Sequence, residues 1–67
     1  MKKGTVKWFN PVKAFGFIKP DEGGKDIFVH VSQFKKAGIT DILEGIQLEY
    51  QLEEFRGRTI AANIKQI

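Results

Sequence analysis

Turn-forming residues cut this chain into five short runs, and that punctuation constrains its fold more than any other feature. Lys3 to Asn10 is closed by Asn10-Pro11, a turn-favouring pair whose proline cannot donate to a sheet ladder. Phe15 to Lys19 ends at Pro20 and the Asp21-Glu22-Gly23-Gly24 turn, and Asp26 to Val31 is the third run. Ile46 to Glu53 alternates cleanly. Ile46, Leu48, Tyr50 and Leu52 fall on one side and Gln47, Glu49, Gln51 and Glu53 on the other, the pattern of a half-buried strand. Arg56-Gly57-Arg58 then turns the chain into Thr59 to Lys65, where the same parity buries Ile60, Ala62 and Ile64.

Helix has little room. Asp41 to Glu44 can start a helical turn that Gly45 stops, and Ser32 to Lys36 can form another before Gly38. Five short strands with turns between them predict an all-β fold, a small five-stranded antiparallel barrel of the OB type. An SH3-like barrel is the structural alternative, because periodicity does not reveal strand order. The 67 residues hold enough chain for one domain, expected to span 1–67. At that size folding buries only about 60% of the unfolded surface.

Charge is distributed unevenly. Residues 1–20 carry five lysines and no acid, whereas the remainder carries six bases against eight acids. Six of the eight aromatics (Trp8, Phe9, Phe15, Phe17, Phe28 and Phe34) lie in the first half. A solvated basic face beside an ordinary core is one reading, and a nucleic-acid surface is the other. The absence of cysteine removes disulfides, thiol nucleophiles and thiolate zinc sites. No apolar run approaches the ~20 residues of a membrane span, and nothing after Met1-Lys2-Lys3 resembles a signal segment. A cytoplasmic protein with no membrane association is expected.

Two runs carry one apolar face too many. In Phe15-Gly16-Phe17-Ile18 both phenylalanines point one way and Ile18 the other. In Ile27-Phe28-Val29-His30-Val31, Phe28 and His30 share a face opposite Ile27, Val29 and Val31. The aliphatic face matches the inner faces of the last two runs, so Ile18, Ile27 and Val29 are expected in the core. No amphipathic helix is available to cover the aromatic face, which is therefore left in water. An exposed patch of Phe15, Phe17 and Phe28 reads as a binding surface. The reverse assignment, with rings inside and aliphatics outside, would expose more β-branched surface and bury His30. Lys7, Lys13 and Lys25 edge the patch. Unpaired bases stack on such rings while cations meet the phosphates, which favours single strands over duplexes. Strict alternation places Trp8 away from Lys7, although a bulge would bring the two to one surface.

These residues also carry a resemblance. Lys7-Trp8-Phe9-Asn10, the RNP1-type Lys13-Ala14-Phe15-Gly16-Phe17-Ile18 and the RNP2-type Ile27-Phe28-Val29-His30 are similar to segments of the bacterial cold-shock proteins. Asp21-Glu22-Gly23-Gly24, Leu43-Glu44-Gly45 and Ala61-Ala62-Asn63 also fit, so the likeness covers nearly the whole chain. That family consists of small OB-fold domains that bind single-stranded RNA and DNA. The resemblance implies that Lys7, Trp8, Lys13, Phe15, Phe17, Phe28 and His30 bind nucleic acid, with Asp26 as a base contact. It implies a rim cation from the last turn, Arg56 or its neighbour Arg58. An RNA chaperone is the function implied, with roles in stress response, translation or transcription antitermination.

Departures from the family pattern accompany the match. Ala14 stands where glycine is usual, and would be strained if that position needs positive φ. Val31 replaces a usual phenylalanine, and Ile39 sits where another stacking aromatic is common. Phe34 is expected to plug one end of the barrel. Phe55 is an unusual ring in the last turn.

Other functions fare worse. A barrel that docks a partner chain on its aromatic patch is the alternative. Gly23-Gly24-Lys25 lacks the spacing of a phosphate-binding loop, and one histidine without cysteine leaves little catalytic or metal-binding material. No enzyme activity, cofactor or metal is expected, and a monomer is.

Overall fold

The computed structural model describes residues 1–67. Five strands follow one another as β1 (Lys2–Asn10), β2 (Phe15–Pro20), β3 (Ile27–His30), β4 (Gln47–Phe55) and β5 (Arg58–Gln66). One short helix, α1 (Val31–Lys36), lies between β3 and β4. The strands close into a barrel in the order β1-β2-β3-β5-β4, with β1 paired to both β2 and β4. No helix is long and apolar enough to cross a membrane.

The expected barrel is present, but its sheet is not purely antiparallel. Four seams are antiparallel and the fifth is parallel, where Phe28 of β3 lies opposite Ile60 of β5. Between β3 and β5 the chain passes through α1 and β4, the long crossover that a parallel pair requires.

Asn10 ends β1 by satisfying the following turn. Its side-chain Oδ1 accepts from the amides of Val12 at 3.0 Å and Lys13 at 3.1 Å. The expected helical turn at Asp41 to Glu44 is absent, and a bend at Glu44-Gly45 leads into β4 instead. The one at Ser32 to Lys36 forms, and it starts a residue earlier. His30 caps α1, with its Nδ1 accepting from the Ser32 amide at 3.1 Å.

Val6, Ile18, Val29, Leu48, Tyr50, Ala61 and Ile64 fill the barrel, and Phe34 closes one end. Phe34 is fully buried and meets Phe9 edge to face at 5.5 Å between centroids. Ile27, expected in the core, is half-buried at its margin. Gly4 and Gly16 line tight crossings. A Cβ on Gly4 would sit 2.6 Å from Ile18 Cγ2, and one on Gly16 would meet the Trp8 carbonyl.

Two bulges overturn strict parity. Between Val6↔Ile18 and Trp8↔Phe17 the register of β1 shifts by one residue, so Lys7 and Trp8 both face outward and Phe9 turns in. In β5 the shift between Glu49↔Lys65 and Gln51↔Ala62 makes Asn63 the extra residue. Asn63 adopts φ 51°, a left-handed conformation that asparagine tolerates. Its amide donates to Gln33 Oε1 at 3.0 Å and its Nδ2 to Gln51 Oε1 at 2.7 Å, which ties α1 to β4 and β5.

The Asn63 bulge corrects the inner face read from alternation. Ala61 joins the core, while Ile60 turns outward beside Phe28. Leu52, the register partner of Ala61, extends past the core and is exposed. Val31 is corrected as well. The helix begins at Val31, so its side chain is half-buried and never reaches the inner face. Ile39 is buried in the core, its amide bonded to the Phe34 carbonyl at 2.9 Å, so no vacant surface platform exists there.

Candidate nucleic-acid interface

The outer face of β1, β2 and β3 carries four rings in mutual contact. The Trp8 bulge sets the indole opposite Phe17, at 5.3 Å between centroids, and 5.7 Å from Phe15. Phe17 pairs with Phe28 in register, and Phe15 stacks on Phe28 at 5.3 Å with planes tilted by 28°. Phe15 and Phe17 meet edge to face at 6.0 Å. Each ring is half-buried and packs against at least two of the others. The face is thus less open to water than alternation alone implies, yet no backbone element covers it. Ile18 and Val29, on the opposite faces of the same strands, are fully buried. The assignment of aromatics outward and aliphatics inward matches the structure.

His30 is exposed and lies in register with Phe15. Because its Nδ1 accepts the Ser32 amide proton, the neutral ring carries its own proton on Nε2. A donor is thereby held on the ring's other nitrogen. The helix cap and the orientation of the imidazole are one contact.

Cations surround the rings unevenly. Lys7 is exposed on the bulge, and its Nζ is bonded to Asp26 Oδ2 at 2.9 Å. Two of the predicted site residues therefore neutralise each other. Lys13, in the β1–β2 turn, and Lys25, in the β2–β3 loop, are exposed and make no ion pair. Arg56, the expected rim cation, lies over Phe55 at 5.3 Å and away from the four rings. Arg58 reaches them, its guanidinium 5.2 Å from the Phe28 centroid.

The β1–β2 turn is held by main-chain bonds. The Ala14 amide donates to the Asn10 carbonyl at 2.8 Å, and its carbonyl accepts from Val31 at 2.9 Å. Ala14 adopts φ 64°, so the position does call for the conformation that favours glycine. No three His, Asp or Glu side chains converge anywhere in the fold.

Phe55, Arg58 and Ile60 adjoin the ring face, and alternation did not place them there. The signal for Ile60 was Asn63, a poor strand residue inside a strand-like run.

Comparison with known proteins matches this architecture to one family. Residues 2–67 fit the model of the "cold-shock" DNA-binding domain. A probable cold shock protein of Sinorhizobium fredii is 45% identical over 67 residues, covering 97% of each chain. A cold shock protein of Rhizobium meliloti is 43% identical with the same coverage. Glycine-rich protein 2 of Nicotiana sylvestris is 48% identical over 63 residues, which are 92% of this chain and 29% of the relative. Proteins of the cold-shock domain family bind nucleic acid, and this chain belongs to that family.

Proposed function

We propose that the chain binds single-stranded RNA and DNA by stacking unpaired bases on Trp8, Phe15, Phe17 and Phe28. His30 adds a ring and an Nε2 donor, and Asp26 offers an acceptor to a base edge. Lys7, Lys13, Lys25 and Arg58 are the phosphate partners, and Arg56 extends the cationic rim. The observation that carries this reading is the cluster of four half-exposed rings on one outer face, with no cover from the fold. Stacking contributes about 1–3 kcal/mol per base and tolerates any sequence, since every base has a π-face. A duplex hides those faces, and the barrel presents no recognition helix to a groove.

Such a protein acts as an RNA chaperone without ATP. Engaging only the unpaired state shifts the equilibrium of a hairpin toward its open form by mass action. The module works as a monomer and makes or breaks no covalent bond.

Titration of Trp8 fluorescence with matched single strands and duplexes tests the reading. Quenching by single strands, with far weaker binding of duplex at the same salt, is the expected result. Equal affinity for both forms would reduce the surface to a purely electrostatic one. Phe17→Ala should weaken single-strand binding by about 1–3 kcal/mol.

A further inference from the structure

Phe55 and Arg58 face each other across the β4–β5 hairpin as its last register pair. Arg58 lies over Phe28, and Arg56 lies over Phe55. From the ring cluster outward, therefore, ring and cation alternate: Phe28, Arg58, Phe55, Arg56. Beside them a groove of about 690 Å³ opens between the hairpin and the start of α1. Phe28, His30, Gln33, Phe55, Arg58 and Ile60 are among its lining residues. Glu53 is the one acid on its wall, against two arginines.

Phe55 has no structural reason to be aromatic. It is 58% exposed and stacks on no other ring. Gly57, at φ 78°, and Arg56, at φ 52°, make the turn without help from the Phe55 side chain. An exposed ring under a guanidinium, at the mouth of a groove that shares Phe28 and His30 with the candidate interface, suits a base and its phosphate.

The geometry points to a lateral site in this groove for a further nucleotide of a single strand already stacked on the four rings. Its base stacks on Phe55, and Arg56 and Arg58 meet the flanking phosphates. A strand that runs past Phe28 meets Arg58 first, because the guanidinium lies 5.2 Å from the centroid of that ring. This inference rests on the single-strand reading above and extends the track beyond Phe28 and His30. It assigns to Phe55 a role that the fold leaves vacant.

Length dependence separates the lateral site from the ring cluster. The full chain and its Phe55→Ala variant are titrated with oligothymidylates lengthened one nucleotide at a time. Short strands, which fill only the cluster, should bind both proteins equally. Beyond a threshold length the unaltered chain should keep gaining affinity while Phe55→Ala stops, with a gap of at least about fivefold. Phe55→Tyr, which keeps the ring, should restore the gain. Melting temperature should be unchanged in both variants, as the side chain is exposed. Superimposed length series would overturn the lateral site and leave the ring-cluster reading standing, as expected if the groove instead takes a polypeptide. A loss equal at every length would also overturn it, since Phe55 would then act on the cluster itself. Failure of the unaltered chain to bind any strand would remove the reading beneath it.

Discussion

Lys7 Nζ sits 2.9 Å from Asp26 Oδ2, so the bulge in β1 and the loop before β3 join a cation to an anion beside the exposed rings. Both side chains remain partly solvated, at 53% and 31% exposure, so the pair adds little to stability. Its consequence falls on binding. A phosphate must compete with Asp26 for Lys7, and the carboxylate also repels the strand. Asp26→Asn keeps an acceptor oxygen and removes the charge. We expect tighter binding of oligothymidylate, about twofold to fivefold at low salt, with the difference shrinking as salt rises. Stability should stay within about 0.5 kcal/mol. Weaker binding of the variant would identify the Asp26 charge itself as a contact to the ligand.

Tyr50 makes the stability of the fold depend on alkaline pH. It is 1% exposed, and burial is the first cause that holds its phenol above the usual range, with the Glu22 charge adding to it. The folded chain therefore keeps this proton more tightly than the unfolded chain does. Its contribution is complete below the unfolded pKa of about 10 and is lost as pH rises through the higher folded value. Melting temperature should fall in strongly alkaline solution, and Tyr50→Phe should flatten that decline. Lys2 is also raised, first by its hydrogen bond to Glu22, but its ammonium faces solvent. Lys2→Gln should leave the decline in place.

Ala14 holds a left-handed backbone that costs a non-glycine residue about 1–2 kcal/mol. Its two main-chain bonds, to Asn10 and Val31, keep it there. Glycine would release that strain and lose about 0.4–1 kcal/mol through a freer unfolded chain. Ala14→Gly should accordingly raise stability by about 0.5–1 kcal/mol in denaturant titration, with an unchanged slope. A lower midpoint would mean that the alanine methyl makes compensating contacts.

The sequence made the outward rings legible because Phe15, Phe17 and Phe28 alternate with aliphatic residues on two-sided strands. A strand with two apolar faces must show one of them. Alternation alone could not place Trp8, because a bulge adds a residue without changing the composition of the run; only the resemblance set it on the binding face. The same kind of event at Asn63 moved Ala61 inward and Ile60 outward, reversing a parity that looked secure. Periodicity also carries no strand direction, so the parallel seam between Phe28 and Ile60 was out of reach. The cation over Phe28 depended on hairpin register: Arg58 pairs with Phe55, and the turn residue Arg56 points elsewhere.

Val31 offers a way to lengthen the ring face beside Ala14 and Phe15. It opens α1, is half-buried, takes no part in the core cluster and bonds through its amide to Ala14, next to Lys13 and Phe15. Val31 lies outside the core cluster, so a larger side chain there should cost less than the ~1–3 kcal/mol typical of overpacking a core. Phenylalanine there would add a ring beyond Phe15 and His30. Val31→Phe should tighten binding of a long oligothymidylate, with about 1–3 kcal/mol as the ceiling for one more stacked base. The gain should fall short of that ceiling, because ordering another nucleotide costs entropy. Affinity and melting temperature measured on the same samples decide the outcome. Tighter binding at unchanged stability places the strand's path over α1, whereas lost stability without tighter binding would assign Val31 to the packing beneath His30.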